Sequence, residues 1–103
     1  MKTLEELNSQ IGSMHDAVLL SIDLRWADGT VTLGIRTAAG PKRVIVQEVT
    51  RLVCPREDPW GRSECINEVR FGSPPSSAVF QMEIEMQSGD VLAICGTKID
   101  VEP

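Results

Sequence analysis

Three thiols and one imidazole hold most of the covalent and metal chemistry open to this sequence. Cys54 and Cys65 bracket the stretch CPREDPWGRSEC, Cys95 lies in LAICG, and the sole histidine is His15 of a His15-Asp16 step. A zinc centre needs about four ligands converging tetrahedrally, as a rule announced by two ligands two to four residues apart. Cys54 and Cys65 are eleven positions apart, and Cys95 and His15 are remote from both, so no metal site is assigned. A nucleophilic cysteine needs a base that raises its thiolate fraction. No local signature ties any thiol to His15, so no catalytic residue is assigned, and Cys95 reads as a small buried hydrophobe.

Three other groups could bind rather than react. His15 and Asp16 stand where a helix hands over to a strand, a place where polar side chains satisfy freed backbone groups. Their functional alternative is a proton shuttle, or a small-ligand pocket lined by His15, Asp16 and a thiol. Glu83 and Glu85 share one strand face about 7 Å apart, and that face reads as solvated. Within CPREDPWGRSEC, Pro55 and Pro59 fix the backbone around Trp60, whose ring either packs on the domain or anchors a partner. With Arg56 and Asp58 beside it, the loop has the composition of an interaction hot spot. No glycine-rich phosphate loop, calcium loop or dinucleotide fingerprint occurs, and no cofactor is implied.

The chain as a whole narrows the choice. Its 103 residues make one domain, 1–103, able to bury somewhat over ~60% of its unfolded surface. Ten Lys and Arg against fifteen Asp and Glu give a net charge of −5, which repels a polyanion. Nucleic-acid binding is therefore not expected, and a basic protein partner fits better. Acidic Glu5 and Glu6 near the N-terminus do not read as a signal peptide, and the apolar runs are too short to span a bilayer. A cytoplasmic protein with reduced thiols, not bound to membranes, is the expectation, as a monomer or a homodimer.

The elements that must position these residues follow from hydrophobic periodicity. Leu4, Leu7 and Ile11, with Thr3 and Glu6 at capping-box spacing and Gly12 as a stop, predict a short N-terminal helix. Val18, Leu20, Ile22, Leu24 and Trp26 then predict the inward row of a strand, and Asp28-Gly29 a tight hairpin turn. Val31, Leu33 and Ile35 form the inward row of its partner. Arg43 to Val49 reads as a central strand covered on both faces, with Val44, Ile45 and Val46 in succession. CINEVRF predicts a short strand carrying Val69 and Phe71, and GSPPSS a loop. Ala78, Phe80, Met82, Ile84 and Met86 predict a buried row, Ser88-Gly89-Asp90 a turn, and VLAICG a final strand covered on both sides, with Thr97 to Val101 extending its sheet. The sum is a mainly β (α+β) domain: an antiparallel sheet of five to seven strands, curled or split around one core, with the N-terminal helix packed on it.

The run HDAVLLSIDLRWADGTVTLGI resembles the opening of small bacterial β-rich families in which a His-Asp-Ala step leads into a first hairpin. Some relatives of that type look like immunity proteins of bacterial polymorphic toxin systems. PWGRSECIN and MQSGDVLAICG are also similar to segments of small bacterial proteins, and together the three runs cover about half the chain. The resemblance implies a bacterial, cytoplasmic, mostly antiparallel domain and carries over no catalytic residue. It also implies tight binding of a toxin, and an acidic surface is complementary to a basic nuclease. A non-enzymatic, immunity-like binding module using Glu83 and Glu85, or the loop of Arg56, Asp58 and Trp60, is the leading expectation.

Overall fold

The two-residue period is clear in Thr30–Thr37, where Val31, Leu33 and Ile35 are buried and Thr32 and Gly34 between them are half-exposed. Every strand of the computed structural model obeys the same rule, with local exceptions that matter below. The structure describes residues 11, 14–72 and 79–103. Among these it forms β1 (Val18–Arg25), β2 (Thr30–Thr37), β3 (Gly40–Gln47), β4 (Arg51–Val53), β5 (Ile66–Gly72), β6 (Phe80–Met86), β7 (Val91–Gly96) and β8 (Lys98–Glu102).

The strands make two four-stranded antiparallel sheets, β1-β2-β3-β8 (sheet A) and β4-β7-β6-β5 (sheet B). The path falls into two equivalent halves. β1, β2 and β3 meander and β4 crosses to sheet B; β5, β6 and β7 meander and β8 crosses to sheet A. Each meander is thus completed by the fourth strand of the other half, although the sequence carries no internal repeat. Inward side chains of both sheets, among them Leu33, Val44 and Val46 from A and Met82, Ile84 and Ile94 from B, form one buried cluster. Each contributes roughly 1.5–3 kcal/mol by leaving water.

The sheets are stitched together at two corners. Where β7 leaves for β8, the Thr50 amide donates to the Cys95 carbonyl at 2.9 Å and the Thr97 amide to the Gln47 carbonyl at 3.2 Å. Gly96 makes this crossing passable, because a Cβ there would stand 2.8 Å from both the Gln47 carbonyl oxygen and Val46 Cγ1. At the other corner Val18 bridges to Cys65, with Leu19 donating to the Glu64 carbonyl and Ile66 to that of Ala17. Beyond Leu19, no described strand pairs with the outer edge of β1.

Several expectations are corrected. The described residues form eight strands rather than five to seven, because Arg51–Val53 is a strand of its own and Lys98–Glu102 joins sheet A instead of prolonging β7. The inward row of β1 fails at Leu20, where a bulge between Leu19 and Ser21 leaves one residue out of register. Leu19 and Ile22 pack against the core, whereas Leu20 is 55% exposed. The first turn spans four residues, and Trp26 lies within it, 88% exposed rather than core. On β3 and β7 only one face is buried, so Ile45 and Cys95 are half-exposed. The predicted helix over Thr3–Gly12 falls outside the described residues except for Ile11, which is buried in the core. The GSPPSS loop lies outside them too, apart from Gly72.

Candidate functional site

Polar side chains on this fold gather in two places, the outer face of sheet B and a cleft beside β1. Alternation assigns them: odd-numbered residues of β6 and β7 point outward, even-numbered ones inward. Glu83 and Glu85 are therefore on the outer face, and cross-strand register sets Glu83 opposite Arg70 and Glu85 opposite Glu68. The Arg70 guanidinium lies among all three carboxylates. It donates to Glu68, and it stands 3.5 Å from Glu83 and 3.4 Å from Glu85. The bond to Glu68, joined by the charge of Glu85, raises its pKa further against partial burial. Asn67 donates to Glu85, and Gln81 donates to Glu83 at 3.2 Å. The outer face is thus a closed network in which most acceptors are already engaged.

The cleft encloses about 480 Å³. Leu19, Leu20, Ser21 and Ile22 form one wall, the segment from Cys54 to Glu64 the other, and Met86, Ser88, Asp90 and Leu92 the end of sheet B between them. It exists because β1 loses its lateral neighbour after Leu19, so the gap between the two sheets opens there towards the core. Its floor is apolar, and its rim carries Arg56, Asp58, Arg62 and Glu64.

The loop wall is held by one carboxylate. Asp90 accepts the backbone amides of Glu57 and Asp58, each at 2.9 Å, and the Ser88 hydroxyl at 2.8 Å. The Glu57 amide above all, then Ser88, the Asp58 amide and the charge of Arg56, hold the Asp90 carboxyl below its ordinary value against the opposing effect of burial. The Trp60 amide donates to the Ser88 carbonyl at 2.8 Å. The indole lies over Gly89, where a Cβ would come within 2.7 Å of its ring, and Gly89 itself has φ +93°. Only glycine meets both demands. Trp60 nonetheless remains 71% exposed, braced from beneath and open above.

The residues singled out from sequence are therefore divided. Arg56 and Asp58 line the cleft and Trp60 crowns its loop, while Glu83 and Glu85 project from the opposite face of sheet B. His15 and Asp16 do not line the cleft. The Nδ1–H of His15 donates to the carbonyl of Asn67 at 2.8 Å, which fixes that nitrogen as the protonated one. Asn67 is the residue left over by a bulge in β5, so the imidazole satisfies a carbonyl at that irregularity. Asp16, at φ 68°, accepts from Gln87 at 2.7 Å.

All three thiols are free; Cys54 is exposed on the cleft wall, and Cys95 faces Gln81 on the outer face. No group of three His, Cys, Asp or Glu able to hold a metal ion occurs among the described residues. No helix among them is long and apolar enough to cross a membrane. Sequence reasoning missed Asp90, Leu20 and Arg70. A Glu-x-Arg spacing on one strand could have flagged Arg70, but nothing local links Asp90 to a loop some thirty residues earlier. Compared with known protein families and with curated proteins, the sequence has no match.

Proposed function

We propose that this chain is a non-enzymatic protein-binding module whose contact surface is the cleft beside β1 and the Trp60 loop that walls it. The observation that carries this reading is Trp60 itself, a large aromatic held open to solvent on the pinned loop whose Arg56 and Asp58 line the cleft. Rigid aromatics beside Arg contribute most at interfaces, because little entropy is lost when they bind. The outer face of sheet B is a weaker contact surface, since binding there would first have to break the Arg70 network. The partner is a protein that inserts an apolar side chain between Leu20 and the loop and meets Arg56, Asp58, Arg62 and Glu64 at the rim. In the immunity-like form of this function, the partner is a basic toxin, towards which the net charge of −5 steers association.

The natural thiols supply the test. A photo-crosslinker on Cys54, in a Cys65→Ser/Cys95→Ser background, should capture the partner, and the same reagent on Cys95 alone should not. Capture from Cys95 with none from Cys54 would move the contact surface to the outer face and sink the proposal.

A further inference from the structure

Five large apolar side chains are exposed among the described residues, and three of them, Leu20, Leu24 and Trp26, belong to β1 or the turn that follows it. Among the described residues no strand pairs with the outer edge of β1 beyond Leu19, and an open apolar edge is a template for another strand. The other edges are blunted. β4 has three residues, β8 carries Lys98, Asp100 and Glu102, and β5 starts with a bulge and carries Glu68 and Arg70.

We propose that β1 pairs edge to edge with β1 of a second copy of this chain, antiparallel and centred on Leu24. The charges of the strand select this occupant. Asp23 and Arg25 flank Leu24, on the opposite face from it; they stand 3.8 Å from each other along the strand and both are well exposed, at 61% and 71%, so each is in reach of a facing partner as well. A two-fold axis at Leu24 sets Asp23 of each copy opposite Arg25 of the other, so one self-complementary strand yields two cross-strand ion pairs. On the inner face Leu24 meets its own copy, and Ile22 stands opposite the turn position of Trp26.

Other registers lose these matches. Centring on Asp23 or on Arg25 sets a charge against itself, and centring between neighbouring residues sets an apolar residue, Ile22, Leu24 or Trp26, against a charged position. Centring on Ile22 runs the ladder into the bulge at Leu20. The Leu24 register ends at Ile22, the one residue it shares with the cleft wall, and leaves Leu19, Leu20, Ser21 and the loop from Cys54 to Glu64 outside the dimer. Its product is one continuous eight-stranded sheet across two copies of sheet A.

Sedimentation of the full chain from micromolar to millimolar concentration tests this. The native chain should associate to a dimer. Asp23→Arg should raise the dissociation constant by about tenfold or more, because two attractive pairs become two repulsive ones. Leu24→Lys should do the same by placing like charges at the axis. The swap Asp23→Arg/Arg25→Asp should restore dimerisation, since its ion pairs re-form with signs exchanged. Asp23, Arg25 and Leu24 are all exposed in the single chain, so each variant should keep the native circular dichroism spectrum. A native chain that sediments as a monomer throughout, single variants that dimerise as tightly as the native chain, or a swap no tighter than Asp23→Arg would each overturn the proposal.

Discussion

The outer face of sheet B and the cleft beside β1 use charge in opposite ways. On the outer face Arg70 sits among Glu68, Glu83 and Glu85, and the side chains satisfy one another across neighbouring strands. In the cleft wall the carboxylate of Asp90 is spent on backbone amides, so the loop it holds can leave Trp60 and Arg56 facing outward. One region closes its polar groups on itself; the other uses one buried acid to hold a display. The difference shows why acidity alone is a poor guide to a binding surface: a carboxylate on the strand next to an arginine is already partnered, whereas a braced aromatic is not.

The sharpest break in this comparison comes from Trp60→Ala. It should weaken partner binding by roughly thirtyfold or more, as loss of an interfacial aromatic anchor does, without altering the fold. Titration calorimetry with the captured partner would measure it. Gly89→Ala should follow, since the new methyl pushes the indole off its support and strains a left-handed turn. A loss of about tenfold in affinity, with a lowered thermal midpoint, is expected there.

Acid should release the same loop. The Asp90 carboxyl lies below its ordinary value of 3.8, so the unfolded chain binds the proton more readily than the native one. Its contribution is therefore in full force above that ordinary value and fades as pH falls through the lower native one. In a Trp26→Phe background, Trp60 emission should be constant near neutrality and change only below about pH 4, and Asp90→Asn should abolish that acid transition. The smallest effect belongs to the outer face. Arg70→Ala should cost about 0.5–1 kcal/mol of stability, measured by urea unfolding, and leave partner affinity unchanged.

Much of the sheet structure was legible in the sequence. β2 and β6 alternate without interruption, and their buried rows are the expected ones. β1 misled at its start, because a bulge at Leu20 puts Leu19 inward in place of Val18 and Leu20 while Ile22 and Leu24 keep the expected face, and periodicity gives no warning of it. Which sheet a strand joins was not legible either. β4 and β8 are short, and their crossing depends on the close approach at Gly96, which reads in sequence as an ordinary break.

The candidate site divided along the same line. Trp60, Arg56 and Asp58 stood out because they lie together in twelve residues, but the cleft needs three segments that only the fold brings together. Glu83 and Glu85 were placed on the correct face, and their partner Arg70 was hidden on the neighbouring strand.

The most direct test captures the partner with three proteins side by side: the native chain, Trp60→Ala, and Glu83→Lys/Glu85→Lys. The account predicts one stoichiometric partner held by the native chain and by the double lysine variant, and lost by Trp60→Ala. A partner held by Trp60→Ala and lost by Glu83→Lys/Glu85→Lys would contradict it and make the outer face of sheet B the binding surface.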